Sequence, residues 1–280
     1  MPDGELEQVA QKVCTKRGLK FVQRVGEGAF KQTFHVLDRK NTPLALKVFK
    51  AASSNKRDQR EIQAMLRCEH PNIARLLSVE NCVHLGQQFV TITEEFLPGG
   101  TLTAKGRLGV PECIAIGKQL VEAIAHIAAL HLVHRDIKPD NILFRADNST
   151  PVITDFGVVR DLTDSSITPT WAARGPGTPF FAAPEQLNNE KGLTDWRTDQ
   201  FALGVVLSYC VLGAHPYWES GISDRDVVDR VSARRGPGDW FPGKAAEIGL
   251  SLMLKMVAPW PVDRFRRPEM LSRAWGEAKG

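Results

Sequence analysis

Little in this chain leans to one sign of charge: 36 basic side chains stand against 32 acidic ones, a formal charge of +4 over 280 residues. A dedicated nucleic-acid binder would concentrate basic residues on one face, so no nucleic-acid partner is expected. Short basic clusters such as Arg234–Arg235 and Arg264/Arg266/Arg267 read as solvated surface. Cysteine is sparse. Five are scattered at positions 14, 68, 82, 113 and 210, no pair has metal-ligand spacing, and an odd count suits free thiols in a reducing compartment. No apolar run reaches the ~18 residues of a membrane span. The opening "MPDGELEQ" lacks the character of a signal peptide, which leads to the expectation of a cytoplasmic protein. Internal repeats and low-complexity tracts are absent as well. What is present is a chain 42% hydrophobic, enough for one large domain or two lobes.

Residues 5–17 read as a short polar helix ahead of the domain. From 20 to about 50, "KFVQRVGEG", "KQTFHVLD" and "PLALKVF" are strand-like runs with turns between them. Residues 54–68 read as a helix with Ile62, Met65 and Leu66 inward. More strands follow, ending at "FVTITEEF", and then "LPGG" signals a turn or linker. Beyond Gly100 the pattern changes. Cys113, Ile116, Leu120, Ile124 and Ile127 recur at helical spacing, predicting an amphipathic helix over 111–130. Residues 199–213 are apolar nearly all round, as a helix buried in the middle of a lobe would be. A strand-rich part and a helix-rich part thus meet near residues 96–100, a natural place for a ligand cleft.

Several fragments carry chemistry. "VGEGAF", residues 25–30, is a Gly-x-Gly turn between strand-like runs, where backbone N–H groups can approach a phosphate closely. By itself it also fits a simple hairpin turn. Lys47 sits in the apolar run "LALKVF", so its ammonium needs an anion. "HRDIKPDN", residues 134–141, packs Asp136, Lys138 and Asn141 between apolar flanks. "ITDFGV" places Asp155 after a β-branched run, and "GTPFFAAPE" closes the segment at Glu185. Each could be an ordinary loop; their order and spacing together are specific.

"GEGAF", "LALK", "HRDIKPDN", "DFG", "APE" and "DQFALG" stand in the order found in eukaryotic-type (Hanks-type) Ser/Thr protein kinases, which this chain resembles over roughly residues 20–275. The resemblance implies an α+β, bilobal fold. A small antiparallel N-lobe with one main helix would span 19–96, a larger helical C-lobe 97–275, and residues 1–18 would be an N-terminal helical extension of a single kinase domain, 1–280. It implies transfer of the γ-phosphoryl of ATP, with Mg²⁺ or Mn²⁺, to Ser/Thr hydroxyls of protein substrates.

By the same resemblance, Gly26 and Gly28 cover the phosphates, and Lys47 contacts them while held by Glu61. Ala45 and Leu143 sandwich adenine, and Glu95 lies in the hinge. Asp136 orients the acceptor hydroxyl and takes its proton; Lys138 offsets charge on the γ-phosphoryl; Asn141 and Asp155 ligate the metal. A carboxylate with an ordinary pKa of ~4 is a poor base for an alcohol, so orientation outweighs proton abstraction. His134, Phe156, Met65 and Leu76 would stack, with Asp199 anchoring them, and Glu185 would pair with a later arginine, Arg267 in "RRPEML". Lys138 and Thr178 match the Ser/Thr rather than the tyrosine pattern.

The chain departs from the family at Lys31 and Thr33, where a third glycine and a valine are usual. It departs again at Glu94, where most members carry an apolar residue or threonine. Neighbours in a strand face opposite sides, so one of Glu94 and Glu95 faces inward and needs a partner; Lys47 is the nearest expected cation. The segment "LTDSSITPTWAARG" predicts a phosphorylation switch at Thr168 or Thr170, with Arg135 and Arg160 as the cations a phosphate would meet. A scaffold that binds nucleotide or a partner without efficient catalysis is the alternative. Its mark would be loss of Lys47, Asp136, Asn141 or Asp155, and all four are present. An enzyme acting on small molecules would lack the "APE" and "GTPFF" segment.

Overall fold

The computed structural model describes residues 4–27, 31–50, 66, 68–155 and 179–279, with the backbone alone at Lys50. It divides into two compact units. The first takes the described residues up to 69 and those from 74 to 97; the second takes 70–73 and the described residues from 98 onward.

The first unit is an antiparallel five-stranded sheet in the order β1-β2-β3-β5-β4, from β1 (Lys20–Glu27), β2 (Lys31–Leu37), β3 (Pro43–Lys50), β4 (Leu76–His84) and β5 (Gln87–Glu95). Alternation along each strand gives the sheet two chemically different faces. On one, Phe34, Val36, Leu44, Leu46, Val48 and Phe89 form a core with Leu6, Val9, Ala10, Val13 and Cys14 of helix α1 (Glu5–Arg17). The expected polar helix is therefore amphipathic. Its apolar stripe is buried on the sheet, and Gln8, Gln11 and Lys12 face solvent. Gly18 ends α1 with φ at +67°, and its N–H and that of Leu19 reach back to the last turn. The opposite face of the sheet carries His35, Ala45 and Glu94 in one cross-strand row and Thr33, Lys47 and Ile92 in the next.

The second unit is mainly helical. It contains α2 (Leu102–Lys105), α3 (Val110–Ala129), α4 (Pro184–Leu187), α5 (Trp196–Leu212), α6 (Asp224–Ser232), α7 (Trp240–Glu247), α8 (Leu252–Met256) and α9 (Pro268–Glu277), with one two-stranded ribbon, β6 (Ile142–Phe144) and β7 (Pro151–Ile153). α5 is buried nearly all round, as its composition predicts. α3 buries Cys113, Ile116, Leu120, Ile124 and Ile127. It passes so close to α9 that a Cβ at Gly117 would lie 2.3 Å from the Trp275 ring. Among the described residues no helix is long and apolar enough to cross a membrane.

One expected partner is different. Glu185 is bound by Arg264, not Arg267: Arg264 donates to Glu185 Oε1 at 2.7 Å and to Oε2 at 3.0 Å, with both side chains fully buried. The remaining guanidinium donors reach the carbonyls of Ala258, Arg197 and Pro259. Arg267 is exposed at the start of α9. Proline at the first helical position directs Arg267 into an extended conformation outside the core, and nothing in "RRP" shows which arginine turns in.

Candidate active site

The candidate residues lie in both units. In the second, "HRDIKPDN" forms a tight loop before β6. His134 is buried and braces the loop: its Nδ1 accepts from the Asp136 N–H at 3.3 Å, and Nε2 lies 3.1 Å from the Thr154 carbonyl. That pattern requires the Nε2–H tautomer. Arg135 has φ at +66°, a conformation costing about 1–2 kcal/mol for a non-glycine residue. Asp199 of α5 offsets that cost, accepting from the N–H groups of His134 at 2.7 Å and Arg135 at 2.8 Å. Burial pushes the Asp199 carboxyl up to about 7, against the pull of those two N–H groups and of the Arg135 guanidinium. Gln186 of α4 adds a bond to the Arg135 carbonyl at 2.9 Å, a contact with no signal in the sequence.

The loop brings three of the expected residues together. Asn141 Nδ2 donates to Asp136 Oδ2 and to the Asp136 carbonyl, both at 2.9 Å. Lys138 Nζ stands 3.2 Å from Asp136 Oδ2. The Asp136 carboxylate is thus clamped from two sides while remaining partly exposed. Thr154 donates to the Asn141 carbonyl at 2.9 Å, and β6 pairs with β7 through Ile142↔Ile153 and Leu143↔Val152. The ladder therefore sets Asn141 and Asp155 at the neighbouring ends of two paired strands. Asp155 has φ at +61°, a second strained position beside the first. Because the Asn141 side-chain amide hydrogens go to Asp136, its side-chain Oδ1 is the atom that can be offered to a cation. Together with the Asp155 carboxylate this is an all-oxygen donor set, which fits a hard cation such as Mg²⁺. Leu143 lies half-buried in β6.

In the first unit, Gly26 pairs with Thr33 across β1 and β2. Ala45 and Lys47 are buried on the face opposite α1. Lys47 forms an ion pair with Glu94, and both are almost fully buried. The inward carboxylate expected at 94 or 95 is Glu94, and its expected partner is the one observed. Glu95, at the end of β5, donates its backbone N–H to the Arg75 carbonyl at 3.0 Å, and its Oε1 accepts from the Arg75 N–H at 3.0 Å. His35 stacks on Phe96 with ring centroids 4.2 Å apart, a contact the sequence did not disclose. Gly28, Glu61, Met65, Phe156, Arg160, Thr168, Thr170 and Thr178 lie outside the described residues.

An antiparallel sheet in the N-terminal unit followed by a mainly helical C-terminal unit is the arrangement of the bilobal protein kinase fold. The chain belongs to the protein kinase family: the protein kinase domain matches residues 19–275. It is 33% identical over 249 residues to serine/threonine-protein kinase PrkC of Bacillus subtilis, covering 84% of this chain and 36% of that protein. It is 31% identical over 196 residues to dual specificity testis-specific protein kinase 1 of Rattus norvegicus, covering 66% of this chain and 30% of that one. With serine/threonine-protein kinase PknD of Mycobacterium tuberculosis it shares 27% identity, covering 88% and 37%. The chain spans about a third of the length of these relatives.

Proposed function

We propose that the chain transfers the γ-phosphoryl of ATP to serine and threonine hydroxyls of protein substrates, and that it requires Mg²⁺, or Mn²⁺ in its place. The observation that carries this reading is the clamped Asp136 carboxylate, held by Asn141 and flanked by Lys138. Asp136 orients the acceptor hydroxyl and receives its proton late, Lys138 offsets charge gathering on the phosphoryl group, and Asn141 fixes Asp136 in place. Asn141 and Asp155 would hold the metal, which would supply neutralisation of phosphate charge. Lys47 binds the phosphates from the sheet, with Gly26 and Gly28 over them, Glu61 on Lys47, and Ala45, Leu143 and Glu95 around the base. The Ser/Thr kinases among the relatives support this choice of acceptor. Phosphorylation of the chain's own segment at Thr168 or Thr170 completes the reading; loss of activity in a Thr168→Ala/Thr170→Ala variant would support it.

The test is incubation with labelled ATP, Mg²⁺ and a generic basic protein. Transfer is expected, and Asp136→Asn should bind nucleotide normally while losing about 10²–10⁴-fold in rate, the usual worth of a positioned acid–base group. Nucleotide binding without transfer to itself or to any protein, with either metal, would establish the scaffold alternative instead.

A further inference from the structure

We infer that Glu94 is a positioning residue for Lys47: a carboxylate built into the sheet itself that keeps the phosphate-binding ammonium charged and aimed. The register pairs Ala45 with Glu94 and Lys47 with Ile92. Glu94 therefore sits one diagonal step from Lys47 on the same face, a separation that two long side chains bridge. They meet in an ion pair with Lys47 4% and Glu94 7% exposed. A charge at either position is less costly to bury with the opposite charge beside it. Both partners come from adjacent strands of one sheet, so the pair is a property of the sheet, whatever else Lys47 meets.

The strand carrying Glu94 is also held from behind. Thr93 points to the opposite face, where Arg17 at the end of α1 donates to its hydroxyl at 2.7 Å and to Ser78 at 3.0 Å, and stands 3.4 Å from Glu80. α1 thereby ties β5 to β4 at the residue next to Glu94. The consequence for ATP rests on the phosphotransfer reading above: the ammonium is presented to phosphate already oriented, and a polar carboxylate occupies the space beside Ala45.

Lys47 accessibility to an acylating reagent reports on the pair without requiring catalysis, since only the uncharged amine reacts. With acetic anhydride and peptide mass spectrometry, Glu94→Gln should raise Lys47 labelling at least ~5-fold, as a buried ammonium that loses the carboxylate beside it gives up its proton more readily. Exposed Lys244 serves as the unchanged reference. Glu94→Asp keeps the charge and should stay within about twofold of the parent protein. In the kinetic assay, the Gln variant should raise KM for ATP about fivefold or more, with a smaller change in kcat, the pattern of lost binding rather than lost chemistry. Equal Lys47 labelling in Glu94→Gln and the parent overturns the inference. If the parent shows no transfer, the phosphotransfer reading fails and the labelling result still decides the pair. Should Glu94→Gln not fold, Lys47→Met/Glu94→Met decides: folding of the double variant supports mutual dependence, and its failure overturns it.

Discussion

Single residues in this protein are placed by whether their polar atoms can be satisfied once buried. Arg264 spends its donors on Glu185 and three backbone carbonyls, while Thr198 donates to Glu185 Oε1 at 2.8 Å. Truncation of one partner strands the other, at a cost of about 3–5 kcal/mol. Arg264→Ala should therefore lower unfolding stability by that amount in denaturant titrations, whereas Arg267→Ala, at an exposed site, should stay within about 0.5 kcal/mol. Equal effects would show that the pairing is wrongly assigned. The presence of the Glu185 partner was legible only through the resemblance, which implies a later arginine for the "APE" carboxylate; its identity was not, because three arginines within four positions look equal on paper. Glu94 is the opposite case. Strand alternation required an inward carboxylate at 94 or 95, and Lys47 was the nearest expected cation.

At the scale of elements, α1 shows where pattern reading stopped short. Its apolar positions 6, 9, 10, 13 and 14 recur at helical spacing, yet glutamate, glutamine, lysine and arginine outnumber them and the segment reads as polar. The sheet supplies the missing information: Phe34, Val36, Leu44, Leu46 and Val48 leave one face apolar and in need of cover. Val9 is fully buried in that contact. Val9→Asp should lower the melting temperature sharply, losing about 2–5 kcal/mol through lost apolar burial and an unpaired buried charge. Gln8→Asp, one position away and exposed, should leave it within a degree or two, roughly the error of a neutral surface change. Similar losses in both would show that α1 does not seat on the sheet. The long apolar helix α5 needed no such help, since a segment apolar all round has only one place to go.

At the scale of the whole molecule, buried ionisable groups couple folding to pH. His215 is 1% exposed, its Nδ1 accepts from the Tyr217 N–H at 3.0 Å, and its ring packs on Phe180 at 4.7 Å. Burial pushes its pKa down from 6.5 to about 3, with a backbone contact at Phe180 pulling slightly upward. A depressed folded-state value contributes stability that is complete above 6.5 and is lost as pH falls towards 3. Asp199, raised from 3.8 to about 7, acts oppositely, its contribution being present at low pH and lost as pH rises through 7. Comparing His215→Asn with the parent cancels the Asp199 contribution. The variant should be the less stable at pH 7, and the difference in melting temperature should shrink steadily as pH is lowered through 6.5 to ~4; a constant difference would refute the assignment. The sequence by itself determined the division into a strand-rich and a helix-rich unit, the family, and the polar residues gathered in the "HRDIKPDN" loop. Periodicity and the order of short polar motifs are local properties, carried by neighbours in the chain. Only the tertiary structure decided that Arg264 rather than Arg267 meets Glu185, that α1 covers the sheet, that Gln186 holds the Arg135 carbonyl, and that His35 lies on Phe96. Each joins residues far apart in sequence or chosen among equals, and packing alone ranks such alternatives.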